Sequence, residues 1–271
     1  MKLFKKVVLS LALTGMCATG VQAAVTQVEG QAGGGIVPWA LLTGGKPTAS
    51  FTWVDTGDYT LTSVAIQAAL AERIGLSYAR QTFDTGAVGL GKINVNVFGA
   101  KVQLLKMADG MPAVTFGVQH KQTNVSEGFL EAVGADDSGT DFYLAATKII
   151  PMGDRKLLVN GTIRATKANQ IGILGFGSST EDSYSAQFEG SAGLFLNDNT
   201  VFGVEYRTKP NNEIGGMNEE DWSDVFFAHF PNKNLAFVFA YANLGDIAAE
   251  AVPSDHGQNQ RGLYLQIQAN F

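Results

Sequence analysis

The stretch Arg261-Gly262-Leu263-Tyr264-Leu265-Gln266-Ile267-Gln268-Ala269-Asn270-Phe271 closes the chain. From Leu263 onward every odd position is apolar, while the even positions carry Tyr264, Gln266, Gln268 and Asn270. Successive side chains of a β-strand point to opposite faces, so this alternation gives the strand one apolar and one polar face. Its length, about ten residues, is that of a strand able to cross a bilayer.

Working back from this strand, similar segments recur at 49–56, 59–71, 73–83, 92–105, 111–121, 141–150, 155–168, 183–196, 200–208, 222–231 and 234–244. With 261–271 they make twelve strands, ten or fourteen being the alternatives that the boundaries leave open. An even number suits a closed barrel with both chain ends on one side. The connections sort by length. Short turns fall around Glu72, Ala108-Asp109-Gly110, Pro151-Met152-Gly153-Asp154, Asn197-Asp198-Asn199 and Pro231-Asn232-Lys233-Asn234. Between them come long polar segments at 84–91, 122–140, 169–182, 209–221 and 245–260, only the first outer loop near Gly57-Asp58 being short. Transmembrane barrels have short periplasmic turns and longer outside loops, whereas a soluble sandwich has no reason to sort its loops this way. The expected fold is therefore all-β, a transmembrane antiparallel β-barrel over residues 49–271.

Composition agrees. Thirty-two glycines, seven prolines, seventeen phenylalanines and few charges argue against disorder and against a helical bundle. At the N-terminus, Lys2, Lys5 and Lys6 precede an apolar run from Val7 to Leu13 and the V-x-A site Val21-Gln22-Ala23. That run is too short to span a bilayer, which needs ~20 apolar residues, so residues 1–23 read as a cleaved export signal, with cleavage after Ala24 the alternative. Met16 stands where a lipoprotein site at Cys17 would need a small residue. Cleavage removes the single cysteine, and with it any disulfide or thiol chemistry. It leaves 16 basic residues against 25 acidic ones, a net charge of −9. A chain so acidic is a poor partner for nucleic acid, whose phosphates are neutralised by Lys and Arg. The expected surroundings are instead outer-membrane lipids and lipopolysaccharide. Ile267, Ala269 and Phe271 resemble the C-terminal signal that such barrels present to the barrel assembly machinery.

In lipid the backbone must pair internally, so the sheet closes with its apolar face outward. Asn160, Thr162, Arg164 and Thr166 oppose Val159, Ile163 and Ala165; Gln187 and Glu189 oppose Phe188 and Gly190; Glu205 and Arg207 oppose Val204 and Tyr206. An Arg on the lipid face near the midplane costs ~2–4 kcal/mol, which assigns Arg164, Glu189, Glu205 and Arg207 to the lumen, with Asn160 and Gln187. From three consecutive strands they are placed to form a ladder of ion pairs. Two readings stay open: a constriction selecting small polar or charged solutes, or a structural filling of paired charges. In 92–105 the apolar phase flips near Gly99, which predicts a β-bulge. Phe226, Phe227, Phe237 and Phe239 make two strands apolar on both faces, so part of the lumen is expected to be packed. Residues 24–48 hold the Gly-rich GGGIVPWA, too apolar to float free; Pro38 and Trp39 mark it as a plug or a periplasmic cap, with an ordinary extended leader as the alternative.

Other motifs carry little. Gly86-Ala87-Val88-Gly89-Leu90-Gly91-Lys92 has the spacing of a phosphate loop, but lacks the following Ser/Thr and precedes a strand. The three histidines, His120, His229 and His256, lie on separate segments without a G-x-S-x-G or paired-carboxylate pattern, so no catalytic residue is assigned. The acidic groups Asp136-Asp137, Glu181-Asp182 and Glu219-Glu220-Asp221 lack calcium-loop spacing and read as solvated loop charge. No metal or cofactor is implied.

The stretches GGGIVPWA (33–40), SGTDFY (138–143), TKANQIGILGFG (166–177), QFEGSA (187–192), VEYRTKP (204–210) and QRGLYL (260–265) resemble a domain-of-unknown-function family of proteobacterial envelope proteins. The resemblance covers nearly the whole chain after the export signal and implies an outer-membrane barrel. It places Glu205 and Arg207 within a motif and assigns them no role.

Overall fold

The computed structural model describes residues 24–44, 46–89, 91–253 and 256–271. The expected export signal at 1–23, with Cys17, lies outside them. Two short strands, β1 (Val25–Thr26) and β2 (Ala32–Gly33), pair with each other. Twelve more form the barrel: β3 (Thr48–Asp55), β4 (Thr60–Leu70), β5 (Ile74–Asp84), β6 (Lys92–Leu105), β7 (Ala113–Thr123), β8 (Ser138–Met152), β9 (Arg155–Thr166), β10 (Ser185–Asn197), β11 (Thr200–Arg207), β12 (Trp222–Asn232), β13 (Leu235–Asn243) and β14 (Arg261–Asn270). Each pairs antiparallel with its neighbours in sequence, and β14 returns to β3, so the sheet has no free edge. The C-terminal alternation thus supplies the closing strand. One short helix, α1 (Glu127–Val133), interrupts the loop after β7; the Ser126 side chain caps its start and Gly134 ends it in the left-handed conformation.

The outward faces are apolar. Ile66, Phe98, Leu144, Ile163, Phe188, Phe202, Val225, Phe239 and Ile267 are all exposed on the barrel wall. Water tolerates no apolar belt of this extent, whereas lipid accepts it, and the barrel is an outer-membrane one. No described helix is long and apolar enough to cross a membrane.

The bulge expected near Gly99 is absent. β6 pairs with β5 and β7 in unbroken register through Gly99, and its irregularity lies between Gln103 and Leu105, beside the turn. What changes along β6 is the surroundings, not the phase. Near the outer end Ile93, Val95 and Val97 point inward into an apolar layer; farther down, Phe98, Val102 and Leu104 point outward to lipid.

That apolar layer is built by the outer loops, which fold over the mouth. Ile171, Ile173, Leu174, Ile214, Met217, Leu244 and Ile247 are buried in one cluster with Val54, Leu61, Phe83 and Ile93 of the wall. The loop acids were expected to be solvated, and Glu219 is not. Its side chain is buried, accepts the Gln170 backbone N–H at 2.9 and 3.0 Å, and pairs with Lys209 at 3.5 Å. Burial pulls the Lys209 ammonium down to about 8 and pushes the Glu219 carboxyl up. Asp136 and Asp182 both hold Lys167.

Candidate functional site

Residues 24–40 are buried without exception, and they lie inside the barrel. The segment enters from the periplasmic mouth, turns back through the β1–β2 pair, and leaves to begin β3. Glycine and proline keep it out of the sheet, so its backbone groups need partners elsewhere. The wall supplies them. Ser63 and Gln81 donate to the carbonyl of Val28 at 2.8 and 3.1 Å. Lys101 Nζ donates to the carbonyls of Ala32 and Trp39 at 2.9 and 3.0 Å. Thr162 donates to the carbonyl of Pro38 at 2.9 Å, with Asn160 Nδ2 at 3.3 Å from the same oxygen. Thr147 accepts from the Ala40 N–H at 2.7 Å, and Ser191 accepts from the Trp39 indole at 2.8 Å.

Glu29 is the segment's one charged group, and it meets the wall charges. Its carboxylate contacts Lys121, Arg207 Nη1 at 2.5 Å and Arg164 Nη2 at 3.8 Å. Arg164 grips Glu189 at two points, 2.5 and 3.3 Å, and reaches Asp141 at 3.2 Å and Gln119 at 2.5 Å. Lys121 also holds Asp141 at 2.6 Å, and Arg207 Nε lies 3.4 Å from Glu189. Three acids thus face three bases in a buried network of zero net charge, the condition under which charges survive away from water. Lys121 also donates to the carbonyl of Ile171 at 3.1 Å, which ties the network to the outer lid.

Of the residues named from sequence, Arg164, Glu189 and Arg207 are brought together here. Glu205 points inward but joins no ion pair among the described residues: its oxygens accept the Ile36 N–H at 2.8 Å and the Ser191 hydroxyl at 2.6 Å. Asn160 bonds Thr147 and Pro38 rather than a charge. Gln187 faces inward nearer the outer rim, half-buried, accepting from Thr208 at 2.6 Å and donating to Ser185 at 2.9 Å. Pro38 and Trp39 both sit in the lumen. Lys121, Gln119, Asp141 and Asp224 were missed although strand alternation would have found them, since each opposes an apolar neighbour such as Val118, Phe142 or Val225. Glu29, in an irregular segment, had no such signal.

A sequence match now adds to this geometry. Residues 22–268 match the family described as "Protein of unknown function (DUF3034)". The chain belongs to that family. No curated protein matches its sequence. Among solved structures, this DUF3034 barrel is similar to the KdgM porin, at 11% identity and a TM-score of 0.53 over 83% of this chain and 99% of that one. It is similarly related to the KdgM porin in complex with disordered oligogalacturonate, at 10% identity, TM-score 0.53 and the same coverage. The NanC porin follows at 10% identity and TM-score 0.51, over 83% of this chain and 98% of that one. At such identities the likeness concerns the fold.

Proposed function

We propose that this barrel is a narrow channel for small polar or charged solutes, with residues 24–44 as its plug. The observation that carries the reading is Glu29, a single carboxylate of the segment set among Lys121, Arg164 and Arg207 of three different strands. Once the segment moves, those cations and the acids beside them line an open polar passage, the arrangement by which charge-lined pores select. The KdgM and NanC structures, which share the fold, are porins. Arg164, Glu189, Glu205 and Arg207 form the constriction, with Asn160 beside it. No catalytic residue is assigned in this reading. Ile267, Ala269 and Phe271 serve the assembly machinery.

The inward-folded lid favours a second reading, a non-conducting envelope barrel. Single-channel recording in planar bilayers separates the two. Refolded protein, its Glu29→Ala variant and a chain lacking 24–44 are compared. Ion-selective current that rises in both altered forms supports the plugged channel; silence in all three supports the structural barrel.

A further inference from the structure

The wall's share of the ion-pair network is not neutral without Glu29. Strands β7, β9 and β11 bring three cations to it, Lys121, Arg164 and Arg207, whereas β8 and β10 bring two acids, Asp141 and Glu189. Asp141 pairs with Lys121 and Arg164, and Glu189 with Arg164 and Arg207, which leaves one positive charge in excess. Glu205 and Asp224, on β11 and β12, form no ion pair among the described residues. The closing charge comes instead from outside the sheet, from a segment that enters the lumen.

The three cations divide over both oxygens of that one carboxylate. Lys121 Nζ contacts Oε1, while Arg207 Nη1 at 2.5 Å and Arg164 Nη2 at 3.8 Å approach Oε2. All four side chains are buried. Ammonium and guanidinium donors converging on a planar two-oxygen anion are the arrangement that recognises carboxylates. One negative charge neutralises the network; a phosphate group, which carries closer to two, overshoots it, and unbalanced charge is costly away from water.

We propose that Lys121, Arg164 and Arg207 form a carboxylate-binding site for the solute, with Glu29 as its tethered competitor. This rests on the channel reading above and narrows its solutes to small organic acids. The carboxylate of such an acid takes the place of Glu29 between β7, β9 and β11. Lys121 also donates to the lid carbonyl of Ile171 at 3.1 Å, so the site lies directly beneath the outer loops, where an acid entering from outside arrives.

Acetate is the fragment that Glu29→Ala removes, which makes it the probe. The refolded full chain carrying Glu29→Ala is titrated with sodium acetate in detergent by isothermal calorimetry, with acetamide and sodium chloride as controls. Saturable binding of one acetate per chain is expected, and none of acetamide. The wild type should bind acetate more than about tenfold more weakly, because a tethered group competes at an effective concentration in the millimolar range. Adding Arg207→Gln to Glu29→Ala removes the excess charge and should abolish the binding. Where Glu29→Ala refolds poorly, its refolding yield is read against the same three solutes: a yield raised by acetate alone supports the site, and one indifferent to acetate overturns it. Acetate bound no more tightly by Glu29→Ala than by the wild type, or undiminished by Arg207→Gln, also overturns it. Planar-bilayer recording keeps the two readings apart. Saturable acetate binding by a barrel that passes no current sinks the channel alone, whereas current through Glu29→Ala without acetate binding sinks this site alone.

Discussion

Arg207 Nη1 meets Glu29 Oε2 at 2.5 Å, although 178 residues separate them in the chain. The same guanidinium nitrogen donates to the carbonyl of Ile36 at 3.1 Å, so one wall residue fixes both limbs of the segment inside the barrel. Removing one member of a buried charge network costs ~3–5 kcal/mol, because its partners are left buried and unpaired. Glu29→Ala therefore favours release of the segment over its docked state. Opening by ~3 kcal/mol corresponds to about a hundredfold faster amide exchange. Hydrogen–deuterium exchange over residues 26–37 should show that acceleration with the barrel strands unchanged. Equal protection in variant and wild type would mean that Glu29 does not hold the plug.

A second expectation concerns pH at the outer rim. Asp58 accepts from the Gly257 N–H at 2.9 Å, from Gln260 at 2.7 Å and contacts His256 at 3.0 Å. The His256 contact above all holds its carboxyl below the usual 3.8. The detached loop therefore takes up a proton more readily than the docked one. The contact contributes stability that is present above the ordinary value and lost as pH falls through the lower, docked one. Protection of the Gly257 amide, corrected for intrinsic exchange, should be level from neutral pH to about 5 and fall below about 4. In Asp58→Asn it should be weaker and free of that step. A step retained in the variant would assign it to another group.

The barrel was legible because lipid enforces alternation strand by strand. Phe188 and Phe239 can face only lipid and Arg164 only the lumen, and loop lengths alternated with the two sides of the membrane. Alternation fails where the environment changes along a strand. In β6 the inner face passes from the apolar lid at Val95 to polar Lys101, and this imitated a bulge. The lid itself was hidden because its apolar residues, Ile171, Ile173 and Leu174, sit in a loop with no period to read. Gln170 and Ile171 even adopt positive φ, at 44° and 58°, which only tertiary packing can impose on a β-branched side chain. Glu29 escaped for the same reason: its meaning comes from a contact across the lumen.

Gly34 provides a steric test of the plug. A Cβ there would fall 2.0 Å from Glu205 Oε1, inside the carboxylate that holds Ile36. Gly34→Ala must push either the segment or Glu205 aside, and overpacking of this kind costs typically ~1–3 kcal/mol. The expected result is a folded barrel with faster exchange at residues 34–37 and more frequent current steps in planar bilayers. Unaltered exchange at those residues would show that the close approach to Glu205 is not needed for docking.

The wall charges decide what an open passage would pass. Arg164, Glu189, Glu205 and Arg207 contribute two positive and two negative groups, and only Glu205 lacks a cationic partner among the described residues. With the plug displaced, Glu29 leaves and Lys121 and Asp141 still pair with each other at 2.6 Å. Replacing all four residues by alanine then removes four of the fixed charges while widening the lumen. Conductance should rise, while ion selectivity, read from the reversal potential in a salt gradient, should move little, since the four charges sum to zero. Replacing Glu205 alone should shift it toward anions, since the remaining residues carry a surplus of positive charge. Conductance unchanged in the fourfold variant, with selectivity unchanged in the Glu205 one, would remove these residues from the permeation path and leave them as a structural filling of the barrel.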